Sequence, residues 1–272
     1  MRDAWEIVKL ARHPKRPTSQ DLIGYLFEDF IELKGDRLYR DDASIIGGIG
    51  TLDGCSITVI AEEKGTDTNS KIQRNFGMPH PEGYRKAIRL MKQAEKFNRP
   101  ILTIIDTPGA YPGIGAEERG QAQAIAYNLY AMMGLKTPIL CVVLSEGGSG
   151  GALAIGVGDK VFMFENSIFA ILSPEGFASI LYKDSSLASQ AASLMKLTAF
   201  DLKELNVIDD IIFEGTGLHE DKIVGYKNLK KILKSTIKTL SKIPIDELLK
   251  NRYERYRQIG IYREGVEDES TV

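Results

Sequence analysis

The sequence is short of the residues that most often mark metal, redox and disulfide chemistry. Its 272 residues include two cysteines, three histidines and one tryptophan. Cys55 and Cys141 each sit in a strand-like apolar run, where a buried, inert thiol is expected. With isolated cysteines and scattered histidines there is no ligand cluster, so no metal site is expected in this chain. No apolar run approaches the ~18 residues that would cross a bilayer. The segment Met1–Ile7 lacks the apolar core of a secretory signal, so the expected location is cytoplasmic and off the membrane. Charge of one sign is missing too. Lys and Arg number 35 against 37 Asp and Glu, a formal net charge of -2, which gives no general attraction to nucleic acid or an anionic surface.

Glycine is what the chain has, and it is concentrated where it matters. Ile101–Asp106 is a short, β-branched apolar run followed by Thr107-Pro108-Gly109-Ala110-Tyr111-Pro112-Gly113-Ile114-Gly115 and a helical pattern. Ile139–Leu144 is a second such run, followed by Ser145-Glu146-Gly147-Gly148-Ser149-Gly150-Gly151 and Ala152–Gly156. Runs of this length bounded by turn residues predict buried strands. Each feeds a glycine loop that opens a helix, leaving unpaired backbone N–H groups at the positive end of the helix dipole. Such a site suits an anion, or an oxygen that becomes one during a reaction.

Around these two units the pattern is that of an α/β protein. A short helix is predicted over 3–12, and a second from Gln20 to Leu33. The basic cluster Arg12, His13, Lys15, Arg16 reads as a solvated face before a proline turn. Asp53-Gly54 predicts a hairpin between Ile45–Leu52 and Cys55–Ala61. The stretch after Ala61 reads as a long polar loop carrying Lys71 and Arg74, candidates for phosphates or a carboxylate. Helices are expected from Pro81 to about Phe97 and from Ala116 to Met133. Short strands are expected at Val161–Phe164 and Ile168–Leu172, with mainly helix over 220–258. The expected organisation is an N-terminal helical segment (1–40), a core (41–218), a C-terminal helical segment (219–263) and a disordered acidic tail (264–272).

Nucleotide motifs fail on spacing. No G-x-x-x-x-G-K-[ST] occurs, and a G-x-G-x-x-G begun at Gly148 would put Leu153 where the third glycine belongs. Gly147-Gly148-Ser149-Gly150-Gly151 does satisfy G-x-S-x-G, with Asp209 or Asp210 and then His219 following in the order of a serine hydrolase. That hydrolase, with Ser149 as nucleophile, is the alternative reading. Its weakness is His219, placed in the surface-loop sequence Thr216–Glu220.

The segments Asp106–Gly113, Gly115–Gln121, Glu146–Ala154 and Ser173–Gly176 together resemble the carboxyltransferase α subunit of bacterial acetyl-CoA carboxylase. Leu10–Pro14, Arg74–Pro79 and Pro81–Ala87 resemble it as well, and the likeness runs in order from about Trp5 to Arg252–Gly260. The resemblance implies a crotonase-like (ClpP/crotonase) spiral of strand–strand–helix units. It implies transfer of a carboxyl group from carboxybiotin to acetyl-CoA, giving malonyl-CoA at the first committed step of fatty acid biosynthesis. Biotin would arrive on a separate biotin carboxyl carrier protein, and ATP would be used by a partner biotin carboxylase. The second partner implied is a zinc-ribbon β subunit, in an α2β2 heterotetramer with the active site between subunits. By the same resemblance, the Gly150 and Gly151 amides would form the oxyanion hole for the biotin oxygen, with Gly147 and Gly148 beside it. Gly109, Tyr111 and Gly113 would shape the facing wall, and Lys71 or Arg74 would meet coenzyme A phosphates.

Overall fold

The protein is described here by a computed structural model covering residues 2–260; the tail expected to be disordered, 264–272, lies outside the described residues. Helix α1 (Ala4–Ala11) starts on Asp3, whose carboxylate accepts the Glu6 N–H. Helix α2 (Ser19–Leu26) is shorter than its sequence pattern predicts. Phe27 turns extended, Asp29 accepts from the Thr51 amide and hydroxyl, and Ile31–Glu32 joins the sheet as β1. Pairing with a neighbouring strand outweighs a helical spacing that is itself mixed. Strands β2 (Ile45–Leu52) and β3 (Cys55–Glu62) form the expected hairpin, with Asp53 and Gly54 both at positive φ.

The polar stretch that follows is not a bare loop. Asp67 and Ser70 make a capping box that starts α3 (Thr68–Gln73), and a 3-10 turn follows at Asn75–Gly77. Next come α4 (Pro81–Lys96) and β4 (Ile101–Thr107). The single helix expected over 116–133 is two, α5 (Ile114–Glu118) and α6 (Gln121–Gly134), broken where Gly120 takes φ +82°. Strand β5 (Ile139–Gly148) runs straight into α7 (Ser149–Leu153). The remainder is β6 (Lys160–Phe164), β7 (Ile168–Ala170), α8 (Pro174–Leu181), α9 (Ala188–Met195), α10 (Ala199–Glu204), β8 (Asp210–Ile212), α11 (Lys222–Leu240) and α12 (Ile245–Arg257).

The strands form one sheet in the order β1-β2-β3-β4-β5-β6-β8, with β7 paired to the far end of β5. Pairing is antiparallel from β1 to β3 and parallel from β3 onward. Alternation along the central strands fills two cores. Leu102, Ile104, Leu140, Val142 and Leu144 face α2 and α11; Ile101, Ile105, Ile139, Cys141 and Val143 face α4, α6 and α10. Both faces are covered, which is why β4 and β5 read as unbroken apolar runs. Each fully buried aliphatic side chain contributes about 1.5–3 kcal/mol to this arrangement. Cys141 lies wholly within the core, and burial pushes its thiol up to about 12. Among the described residues, no helix is long and apolar enough to cross a membrane.

Candidate functional site

The parallel strands end together, and their carboxyl ends carry the glycine loops. Between β4 and β5 the register breaks. Ile105 pairs with Val143, yet the next pair is Thr107 with Gly147. Past the break β5 leaves β6 and pairs with β7 through Glu146, Gly147 and Gly148. The segment Ser145–Gly148, expected as loop, is therefore strand. Its pairing to β7 is non-local and supplies what its residues lack in strand propensity.

The bend lays the second glycine segment on the first. A Cβ at Gly148 would lie 2.2 Å from the Pro108 oxygen, and one at Gly151 would lie 2.6 Å from the Ala110 nitrogen. Only glycine allows backbones so close. Ser149 then takes φ +50°, turning the chain from strand to helix within one residue. The amides of Ser149, Gly150 and Gly151 open α7, where no preceding turn supplies acceptors. At Gly150 there is room, since a Cβ would find nothing nearer than Ile125 at 3.8 Å. Ser149 and Gly150 also line a largely apolar cavity of about 510 Å³, with Leu153, Val157, Phe169 and Ile171.

The expected wall residues lie along one loop. Gly109 touches Gly151, and its amide and carbonyl are held by the Thr107 hydroxyl at 3.0 and 2.8 Å. Tyr111 donates its N–H to the Pro79 carbonyl, accepts from Gln121, and sets its ring 4.1 Å from that of His80. Gly113 lies against the Tyr111 ring. Burial lowers the His80 pKa, so its imidazole is neutral at physiological pH.

Lys71 and Arg74 are not brought to the glycine loops. Lys71 lies in α3, and Arg74 caps it, its guanidinium donating to the Ala43 carbonyl and to Gln20. Arg74 lines a separate polar cleft of about 270 Å³ with Thr18, Gln20 and Glu63.

Several charged residues at the site escape a linear reading. Lys64 donates to Asp106 at 2.6 Å and to Glu146 at 2.8 Å. Glu146 in turn accepts from Arg12, which also reaches Glu175. Glu62, fully buried at the end of β3, accepts the Asp106 N–H with one oxygen and leaves the other unpaired. Burial drives Glu62 well above the carboxylate range and raises Asp106 as well, despite Lys64. For Glu146 burial acts the same way, but Lys64 and Arg12 outweigh it and hold its pKa low. The sequence signal is faint: acidic residues at 62, 106 and 146, each near the carboxyl end of a buried strand. The basic cluster is only in part the solvated face expected: Arg12 and Lys15 are exposed, but Arg16 is not. Arg16 is buried against Glu214, Ser145 and the Leu144 carbonyl.

The hydrolase triad does not assemble. The Asp209 carboxylate is held by Lys160 and Arg255, while the His219 ring lies 4.7 Å from that of His13. Neither Asp209, Asp210 nor His219 lines the cavity that Ser149 lines.

Comparison with solved structures gives the class. The chain superposes on transcarboxylase 12S, solved with methylmalonyl-coenzyme A and methylmalonic acid bound, with a TM-score of 0.65 at 17% identity. The match covers 96% of this chain and 46% of that one. The fold is thus the crotonase type, as the resemblance implied. Sequence comparison gives the particular family. Residues 2–260 match the family described as "Acetyl co-enzyme A carboxylase carboxyltransferase-like", and the chain belongs to it. It is 58% identical over 258 residues to the acetyl-coenzyme A carboxylase carboxyl transferase subunit alpha of Clostridium perfringens, covering 94% of this chain and 95% of that protein. To the same subunit of Bacillus cytotoxicus it is 56% identical over 257 residues, covering 94% and 79%.

Proposed function

We propose that this chain is the α half of a two-subunit carboxyltransferase that moves a carboxyl group from carboxybiotin to acetyl-CoA, giving malonyl-CoA. The observation that carries the reading is the pair of glycine segments, packed backbone to backbone at the ends of β4 and β5 and opening α7 with free amides. This arrangement suits an oxygen that gains negative charge. A single preorganised donor of this kind is worth about 10²–10³ in rate in related acyl chemistry.

A flat bicyclic ring with one polar edge matches what the residues provide. The cavity beside Gly150 is walled by Leu153, Val157, Phe169 and Ile171, and amides stand at one end. When bound, carboxybiotin supplies the carboxyl group to be transferred. Gly150 and Gly151 would hold its ureido oxygen through their N–H groups. Gly147 and Gly148 set the aim of those amides through their pairing with β7 and contact with Pro108. Gly109, Tyr111 and Gly113 would form the wall facing the incoming thioester. Lys71, among the phosphate candidates, has no ion pair among the described residues, whereas Arg74 already serves Ala43 and Gln20. No side-chain nucleophile is needed, in keeping with a Ser149 whose cavity is lined by no histidine.

The rest of the reading concerns partners. A zinc-ribbon β subunit would complete the acyl-CoA side in an α2β2 assembly, and a biotin carboxyl carrier protein would deliver the biotin. The test is reverse transfer from malonyl-CoA to biocytin, with the chain alone and mixed with the β subunit. Turnover only in the mixture is the expected result. Absence of turnover in both, with fluorophosphonate labelling of Ser149, would overturn the proposal in favour of a hydrolase.

A further inference from the structure

Lys64 occupies a position that the transfer chemistry above leaves without a task. It lies two residues beyond β3, with its ammonium between Asp106 of β4 and Glu146 of β5. These two carboxylates flank the register break, since Asp106 is the one β4 residue between the pairs Ile105–Val143 and Thr107–Gly147. Asp106 also accepts the Glu146 N–H at 3.2 Å, across the same break. The stem of Lys64 is boxed in. A Cβ on Gly77, at φ +78° in the 3-10 turn, would lie 2.6 Å from Lys64 Cγ, and 3.5 Å from the Asp106 carbonyl oxygen.

We infer that Lys64 is a positioning residue for carboxyl transfer: by bridging Asp106 and Glu146 it fixes the register break that lays Gly147–Gly151 on the Pro108–Ala110 loop. The inference rests on the reading of Gly150 and Gly151 as the oxyanion-binding amides. Its physical basis is geometric. Ordinary pairing cannot hold β5 in register with β4 through Leu144–Glu146, because those residues have no β4 partner. Something must tie the strands on both sides of the gap, and an ammonium with three donors can do so from β3 without contributing a bond to either ladder. Arg12 and Glu175 extend the tie to α1 and α8, while the unpaired Glu62 oxygen lies behind Asp106. Without the ammonium, Asp106 and Glu146 would repel across the break, and Gly148 would lift from Pro108. The amides would persist, but aimed elsewhere, and a misplacement of about 1 Å can cost 10²-fold in rate.

The test uses the full chain assembled with its β subunit. Lys64→Met keeps the stem and removes the charge. Lys64→Met with Asp106→Asn restores the charge balance, so that a fold is available if the single variant fails. Lys64→Arg keeps a cation that can reach both carboxylates. Gly151→Val serves as the control on the site itself. The expected result is a fall in kcat of about 100-fold in both Met variants, with KM for the acyl-CoA within twofold of the parent and assembly with β retained. Lys64→Arg should recover at least a tenth of parental kcat. If Gly151→Val is inactive while the double variant keeps kcat within threefold, the positioning role is wrong and the site reading stands. Full activity of Gly151→Val overturns both. Failure of both Met variants to fold or to bind β would make Lys64 a residue of the fold and end the proposal.

Discussion

Two buried charge clusters at opposite ends of the parallel sheet are partnered in opposite ways. At the amino ends, Arg252 on α12 is buried and gives all five of its donors away. Two go to the Asp159 carboxylate and three to the carbonyls of Met132, Leu135 and Thr137. Asp159 also accepts the Ile139 N–H, so the start of β5 is tied to α12. At the carboxyl ends, one ammonium serves Asp106 and Glu146, with the poorly partnered Glu62 close behind. A fully satisfied buried pair costs much if broken, but performs no task beyond holding the fold. Incomplete satisfaction and carboxyls raised above their ordinary range mark the end where chemistry is expected.

Breaking the active end at its glycines should have the largest effect. Gly151→Val puts a branched side chain against the Gly109 and Ala110 backbone, where even a Cβ has no room. Turnover should fall by about 10³-fold or more. The circular dichroism spectrum and binding to β should be retained. Gly150→Ala meets only Ile125 at 3.8 Å, and its kcat should fall by no more than roughly tenfold, as the amide remains. Equal losses in the two variants would mean that the close approach of the loops does not matter.

Breaking the opposite end should cost stability instead. Arg252→Met strands Asp159 as an uncompensated buried charge, a loss of about 3–5 kcal/mol. For a chain of this size that lowers Tm by roughly 6–20 °C. Adding Asp159→Asn should recover part of the loss, and kcat of the folded fraction should stay within twofold. A thermal melt that does not move would remove the contrast between the ends.

The same contrast explains what could be read in the sequence. Asp53-Gly54 gave the hairpin, and the alternation of Leu140, Val142 and Leu144 with Ile139, Cys141 and Val143 gave a strand covered on both faces. The glycine loops pointed to backbone amides opening a helix, because Gly147–Gly151 directly follows an apolar strand run, whereas the packing of Gly148 and Gly151 on Pro108–Ala110 is a long-range contact that no local pattern shows. What could not be read depends on residues far apart in the chain. Ser145–Gly148 is strand because Ile168–Ala170 pairs with it, and the predicted helix beyond Leu26 yields to pairing with β2. Lys64 gains its meaning when the ends of three strands meet, which no window around Glu62–Gly65 contains. Arg16 looked solvated because nothing near it in sequence shows that Glu214 lies opposite.

A subtler difference, between two buried acids that both lie at the carboxyl ends, is the sign of their response to pH. Glu62 is raised by burial in the folded state. Its contribution to stability is therefore complete below its unfolded value and is lost as pH rises through the folded one. Glu214 has the opposite sign: burial raises it, but Arg16, Asn166 and Leu218 outweigh that, and its support is lost as pH falls. Glu62→Gln removes the titrating group and leaves a neutral isostere of its protonated form. Melts should show little change at pH 5 and a higher Tm than the parent at pH 8. A variant that melts below the parent at pH 8 would mean that Glu62 works as an anion.

The smallest effect is expected at Ser149, where the hydrolase and carboxyltransferase readings part most sharply. Its hydroxyl is hydrogen-bonded to no histidine among the described residues, and no histidine lines its cavity; its backbone takes φ +50° at the junction of β5 and α7. That conformation costs an L-residue about 1–2 kcal/mol, and alanine shares the cost while glycine does not. Ser149→Ala should therefore keep carboxyl transfer within about threefold of the parent. Ser149→Gly should add about 1 kcal/mol to stability, measured by urea titration of the chain. If transfer collapses in the alanine variant, the hydroxyl has a chemical part that the amides alone cannot supply. The site would then have to be rebuilt around it.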